Sequence, residues 1–275
     1  MTTIALFGAG GKMGYRLSSN LKGSRFEVRH VELSSAGQER LKAGLGFDCV
    51  SQAEALDSAD VVVLAVPDTL IGKVATGIGK NLKPGTIVVI LDAAAPFAGH
   101  LPERSDITYF VTHPCHPPIF NDETDPAAKR DFFGGVAAKQ HIVSALMQGP
   151  EEHFALGEEV AKVIWAPVMR SHRVTVEQMA LLEPGLSETV CASLLDVMRE
   201  AMDEVVRRGV PREAARDFLL GHMNVLGSVI FEETPGVFSD ACNKAIEFGK
   251  PMLMRDDWKR VFEPQELADS IRRIT

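Results

Sequence analysis

The stretch Thr112–Phe120, THPCHPPIF, sets His113 and His116 three residues apart with Cys115 between them. Pro114, Pro117 and Pro118 forbid a helix there and stiffen the turn. Two imidazoles on a rigid loop suit a metal ligand or an acid/base pair, and the bland alternative is a proline-locked turn whose histidines bond to backbone. A second stretch, LLEPGLSETV, places Glu183 and Glu188 on either side of Pro184-Gly185. Glu188 and Asp196 stand eight residues apart and share a helix face. Turned toward a cleft, Glu188 completes with His116 a mixed nitrogen and oxygen set that divalent metals accept. The ordinary alternative is a solvated acidic face. His222, Asn224 and Lys244 are outer candidates, each with a plain packing or surface role available.

The third chemical stretch is ALFGAGGKMG near the amino terminus, with Gly8, Gly10, Gly11 and Gly14 between an apolar run and a helical pattern. It reads as GxG with a later glycine or as GxxGxxG, and either is a dinucleotide fingerprint. Gly8 permits the tight turn, Gly10 or Gly11 lets backbone approach a pyrophosphate, and Gly14 lets helix and strand pack closely. Lys12 and Met13 open the helix whose free N–H groups face the anion. The second strand ends HVEL, so Glu32 falls where a carboxylate takes ribose hydroxyls and repels a 2′-phosphate. That favours NAD. Val66, Pro67 and Asp68 are expected as the loop beneath the nicotinamide ribose.

The elements that must position these residues alternate. Strands are expected at Thr3–Phe7, Phe26–Leu33, Asp60–Val66, Thr86–Leu91 and Tyr109–Thr112, with late strands at His141–Met147 and Val163–Val168. Helices are expected at Met13–Leu21, Gln38–Lys42 and Glu152–Ala161. Continuous apolar runs such as DVVVLAV and TIVVIL suit a parallel sheet buried on both faces. Beyond about Arg173 the pattern turns helical, through Val174–Arg208 with a break at Pro184-Gly185, then Arg212–Phe231, then near Gln265–Arg272. The expected fold is α/β: a Rossmann domain over residues 1–172 and a smaller all-α domain over 173–275 for substrate and dimerisation.

The chain has 275 residues and a net charge of −8, which disfavours nucleic acid as a partner. Cys49, Cys115, Cys191 and Cys242 are scattered, which fits a reducing cytoplasm rather than a disulfide framework. No apolar run is long enough to suggest a membrane span. The broad apolar faces of the helical part point to a homodimer.

The order GAGGKMG, ADVVVLAVPD, LKPGTIVVILD, THPCHPPIFNDE, LMQGPEE, APVMRSHRVTVEQMALLEPGLSET resembles the D-apionate oxidoisomerase family over nearly the whole chain. More distantly, the layout is similar to ketol-acid reductoisomerases and 6-phosphogluconate dehydrogenases. The resemblance implies NAD-dependent oxidation of a small sugar acid, D-apionate. A hydroxymethyl migration follows, aided by a divalent metal of open identity, to give 3-oxo-isoapionate. It casts His116 and Glu188 as ligands and His113 as the acid/base group. Two other readings are a plain NAD-dependent hydroxy-acid dehydrogenase without a metal, and an NAD-sensing binding module without turnover.

Overall fold

A computed structural model describes residues 1–275. The first unit comprises Met1–Glu183 with Ile271–Thr275, and the second Pro184–Ser270. The first opens with β1 (Thr3–Phe7), α1 (Lys12–Leu21), β2 (Glu27–Val31), α2 (Ser35–Leu45), α3 (Gln52–Asp57), β3 (Val61–Leu64), α4 (Asp68–Gly79) and β4 (Ile87–Ile90). It continues with α5 (Ala94–Phe97), β5 (Thr108–Pro114), β6 (Gln140–Gln148), α6 (His153–Ile164), β7 (Val168–Arg173) and α7 (Val176–Ala180). The second unit carries α8 (Ser193–Arg207), α9 (Arg212–Ile230) and α10 (Asp240–Leu253); α11 (Pro264–Ile274) ends the chain. The α/β class and the helical carboxyl-terminal part are as expected.

One sheet runs β2-β1-β3-β4-β5-β6-β7. The strands from β1 to β5 are parallel, β6 opposes β5, and β7 is parallel to β6. On one face Ile4, Leu6, Val61, Val63, Val89 and Phe110 pack with Leu17, Leu41, Val160 and Ile164. On the other, Ala5, Phe7, Val62, Leu64, Val88 and Ile90 pack with Ile71, Ala75 and Ile78. Burial on both faces is why these strands read as unbroken apolar runs.

Several expectations change. The run Val163–Val168 is not a strand: α6 continues to Ile164 and β7 begins at Val168. Val160, Ala161 and Ile164 are buried at helical spacing, so the 3.6-residue period governs there. Asp68 opens α4 rather than lying in a loop, in the first turn where a carboxylate suits the helix dipole. Pro184-Gly185 does not break the helix. Leu181–Ala192 runs through it as a π-helical stretch, and the Thr189 hydroxyl donates to the Pro184 carbonyl at 2.6 Å. The compact units divide at Glu183, beyond residue 172. Strand β7 pairs with β6, and Val176 and Met179 of α7 are buried with Val111, Val143 and Ala145 of the sheet.

Between β5 and β6 lies a long loop with its own internal ties. The Asp131 carboxylate accepts N–H bonds from Val136, Ala137 and Ala138 at 3.1, 2.8 and 3.1 Å. Asn20 of α1 reaches the carbonyls of Gly135, Ile164 and Ala166 at 3.1, 3.0 and 3.3 Å. In the second unit, α8 and α10 bury no residue and α9 buries only Ala215. Phe218, Phe231, Phe248 and Leu253 are exposed. An apolar trough of about 620 Å³ lies among Leu194, Val197, Met198, Ile246, Leu253 and Trp258. No helix is long and apolar enough to cross a membrane.

Candidate active site

The glycine loop follows β1 and leads into α1. Gly8 has φ +72°, and a Cβ there would stand 2.3 Å from the Ala65 carbonyl oxygen. A Cβ on Gly14 would meet the Gly8 carbonyl oxygen at 2.0 Å, so the strand-to-helix approach requires glycine. Gly11 occupies the N-cap of α1 with no side-chain cap, and no acidic residue sits in the first turn. Those N–H groups are open to an anion. Lys12 projects over the Phe133 ring at 4.7 Å and Arg16 at 5.1 Å. The Met13 side chain packs on the core, which leaves its backbone for the cradle. Glu32, just past the end of β2, accepts N–H bonds from Gly10 at 2.9 Å and Ser34 at 2.8 Å. It is thereby fixed at the wall of a cavity of about 490 Å³, with Gly8, Gly11, Ala65, Pro67 and Leu70 among the lining.

The chemical residues gather where β4 and β5 end. Ile90 pairs with Val111, so two residues further Asp92 stands level with His113. Asp92, His113 and Glu183 each present a ligand atom, and these atoms lie within 4.8 Å of one another. The Asp92 carboxylate accepts the Ala94 N–H at 2.6 Å. His113 Nδ1 lies 2.8 Å from the Pro114 carbonyl oxygen and 3.6 Å from the Glu183 carboxylate. A carbonyl only accepts, so Nδ1 is the donor in that contact. His116 is held in the left-handed region at φ +62°. Its Nδ1 donates to the Phe133 carbonyl at 2.9 Å, and its ring meets that of His113 edge-on at 5.9 Å.

Burial, then the charge of Asp92, pushes the Glu183 carboxyl up to about 7, with Asp68 adding to the rise and His116 opposing it. Asp68 is raised by burial and by Asp92 and lowered by His113. Burial and Glu183 raise the Cys115 thiol. Asp92 and Glu183 thus share one spot with the His113 imidazole, and Asp68 is near enough to act on Glu183. Such a donor set suits a divalent cation.

The fold therefore brings together His113, His116, Asp68 and Glu183 from the sequence candidates, and adds Asp92, which sequence reasoning missed. Its signal was an acid directly after the apolar run of β4. Glu188 lies in the second unit and outside this ligand group. Asp196 pairs with Arg199 at 3.2 Å. His222 stacks on Phe218 at 4.0 Å and donates to its carbonyl. Lys244 sits on α10 among Asp240, Glu247 and Lys250.

Residues 121–275 match the family "Phosphogluconate dehydrogenase (decarboxylating) C-term", and residues 1–115 match "Acetohydroxy acid isomeroreductase, NADPH-binding domain". The chain is 78% identical to the D-apionate oxidoisomerase of Rhizobium rhizogenes, with all of both chains covered. It is 73% identical to that of Cupriavidus necator, over 99% of each chain. The crystal structure of a semialdehyde dehydrogenase NAD-binding protein from Cupriavidus necator in complex with calcium and NAD superposes with TM-score 0.99. Its sequence identity is 72%, and both chains are covered completely.

Proposed function

This chain belongs to the D-apionate oxidoisomerase family, and from that membership we propose that it oxidises D-apionate with NAD+ and rearranges the product to 3-oxo-isoapionate. The observation that carries the reading is the Asp92, His113 and Glu183 group at the ends of β4 and β5, on the sheet whose β1 leads into the dinucleotide loop. Glu32 favours NAD over NADP, although the family matched by residues 1–115 is described as NADPH-binding. The solved relative with NAD bound supports the same choice.

In the first step the secondary alcohol of the substrate loses its hydroxyl proton and passes its C–H hydride to NAD+, giving a ketone beside the tertiary alcohol. In the second step a hydroxymethyl group migrates with its bonding pair from the tertiary carbon to the ketone carbon. The tertiary oxygen becomes the new carbonyl and the old carbonyl oxygen takes up the proton. Asp92, His113 and Glu183 would hold a divalent cation, which would supply the Lewis-acid polarisation that the shift needs. The Pro114 carbonyl orients the His113 imidazole. The Phe133 carbonyl fixes His116 in the same way, and we assign His116 the alcohol proton. The loop and β4–β5 register hold these groups still, so little ordering remains when substrate arrives. The expected pair His116 and Glu188 is the rival ligand set. The second unit is proposed as substrate and dimerisation domain, since its helices bury almost nothing on their own.

The test is NADH formation from D-apionate before and after chelation, with metal add-back and identification of the product. Turnover lost on chelation, restored by metal and yielding a rearranged β-keto acid is the expected result. NADH without rearrangement and indifferent to chelation would leave a plain dehydrogenase. A chain that binds NAD+ but turns over no sugar acid would leave the sensor reading.

A further inference from the structure

The last two strands reverse the sheet. Strand β6 runs against β5 and β7 follows β6, so the amino-terminal ends of β6 and β7 lie at the end where β3, β4 and β5 finish. There the register sets His113 opposite Val143, Val143 opposite His172, and His141 opposite Arg170. Side chains alternate along a strand and match across a ladder. His113, His141, Arg170 and His172 therefore share one face. It is the face on which Val111, Val143 and Ala145 meet Val176 and Met179 of α7, while Ile142 points the other way into the core under α6.

The residues here are all cationic or able to become so. The His141 and His172 rings meet edge-on at 5.9 Å. His141 Nδ1 is buried and has no hydrogen-bond partner. Burial, then Arg170 and His172, holds the His141 imidazole below its usual range. Arg170 and His172 take part in no ion pair, whereas the neighbouring Arg173 is paired with Glu151. The polarity along this end of the sheet is thus divided. Asp68, Asp92 and Glu183 lie to one side of His113, and Arg170, in no ion pair, lies to the other with two imidazoles beside it.

A hydroxy acid fits that division in one direction only. Its hydroxyls belong with the carboxylate and imidazole group that handles the alcohol, which leaves its carboxylate to a separate cationic partner. His141 stands about 7 Å along the strand from the level of His113, and Arg170 about 10 Å across the sheet. A long guanidinium arm reaching toward a five-carbon substrate spans such gaps, and its planar fork matches a carboxylate. We propose that Arg170, with His141 and His172 beside it, seats the substrate's carboxylate and so sets the preference for acids over neutral polyols.

This assignment rests on the reading of the substrate as D-apionate. The test compares wild type, Arg170→Gln, Arg170→Lys and His172→Gln with D-apionate and with its neutral amide, following KM and kcat for each and KM for NAD+. In Arg170→Gln the KM for D-apionate is expected to rise on the order of 10- to 100-fold, with kcat and the KM for NAD+ little changed. Arg170→Lys should recover part of the loss, His172→Gln should show a smaller one, and the amide should lose little in any variant. An unchanged KM for the acid, or an equal loss on acid and amide, would overturn the assignment while leaving the proposed function intact. Wild type that neither binds nor oxidises D-apionate would remove the premise, and the assignment with it.

Discussion

At the scale of single residues, the site is a case of crowding. Glu183 is half-buried with Asp92 and Asp68 acting on it, and the repulsion among them is what a divalent cation would relieve. Glu183→Gln removes that charge and a ligand at once. Metal affinity, read by calorimetry, should fall by more than the 10- to 100-fold that loss of an outer partner costs. Glu188→Gln in the same titration should leave affinity nearly unchanged; a matching loss there would restore the His116–Glu188 set. Glu32 acts through its fixed carboxylate. Glu32→Ala should narrow the preference for NAD+ over NADP+ by about tenfold or more, since a charged hydrogen-bond acceptor and a repulsive charge both go. Equal selectivity in mutant and wild type would mean that Glu32 serves only to brace Gly10.

At the scale of elements, much of the parallel sheet was legible because burial on both faces leaves unbroken apolar runs. The glycine loop was legible because its steric demands leave few alternatives. The end of α6 was not: Val163–Val168 satisfies a strand pattern and a helix stripe equally, and only packing against Phe110 and Ile142 decides. Pro184 misled because a Pro-Gly pair in a helical pattern reads as a break, whereas the backbone continues through it as a π-helical stretch. Asp92 was invisible because its neighbour His113 is set by the register of β4 on β5, which no local pattern states. Strand β2 carries a further consequence. His30 is buried against Phe47, its Nε2 has no partner, and burial lowers its pKa to about 4. The unfolded chain binds the proton near 6.5, so stability falls as pH drops from 6.5 toward 4. Denaturant unfolding should show a loss of roughly 2 kcal/mol between pH 7 and pH 5 from this group. His30→Leu should flatten that part of the slope, and an unchanged slope would assign it to other groups.

At the scale of the whole molecule, the two units differ in how they hold together. The first has a conventional core on both sides of a sheet. The second has long helices with a single buried residue among α8, α9 and α10, and an apolar trough between two of them. Helices of this kind gain stability from what they pack against rather than from intrinsic propensity. A second copy of the chain is the proposed partner, and light scattering should give twice the 29.9 kDa chain mass at micromolar concentration. Stability should then depend on protein concentration. A monomer that unfolds with the same midpoint at every concentration would sink the dimer.

Asn20 has an outcome of its own. From the cofactor helix it clasps Gly135 of the long loop and the chain just before β7. Phe133 of that loop touches Lys12 and Arg16 on one side and His116 on the other. The loop therefore touches the cofactor helix and a site histidine at once, and any coupling it carries between dinucleotide and substrate must act equally in both directions. Amide exchange at Val136, Ala137 and Ala138 should slow when NAD+ binds, Asn20→Ala should abolish the slowing, and substrate bound at the histidines should in turn tighten the hold on NAD+.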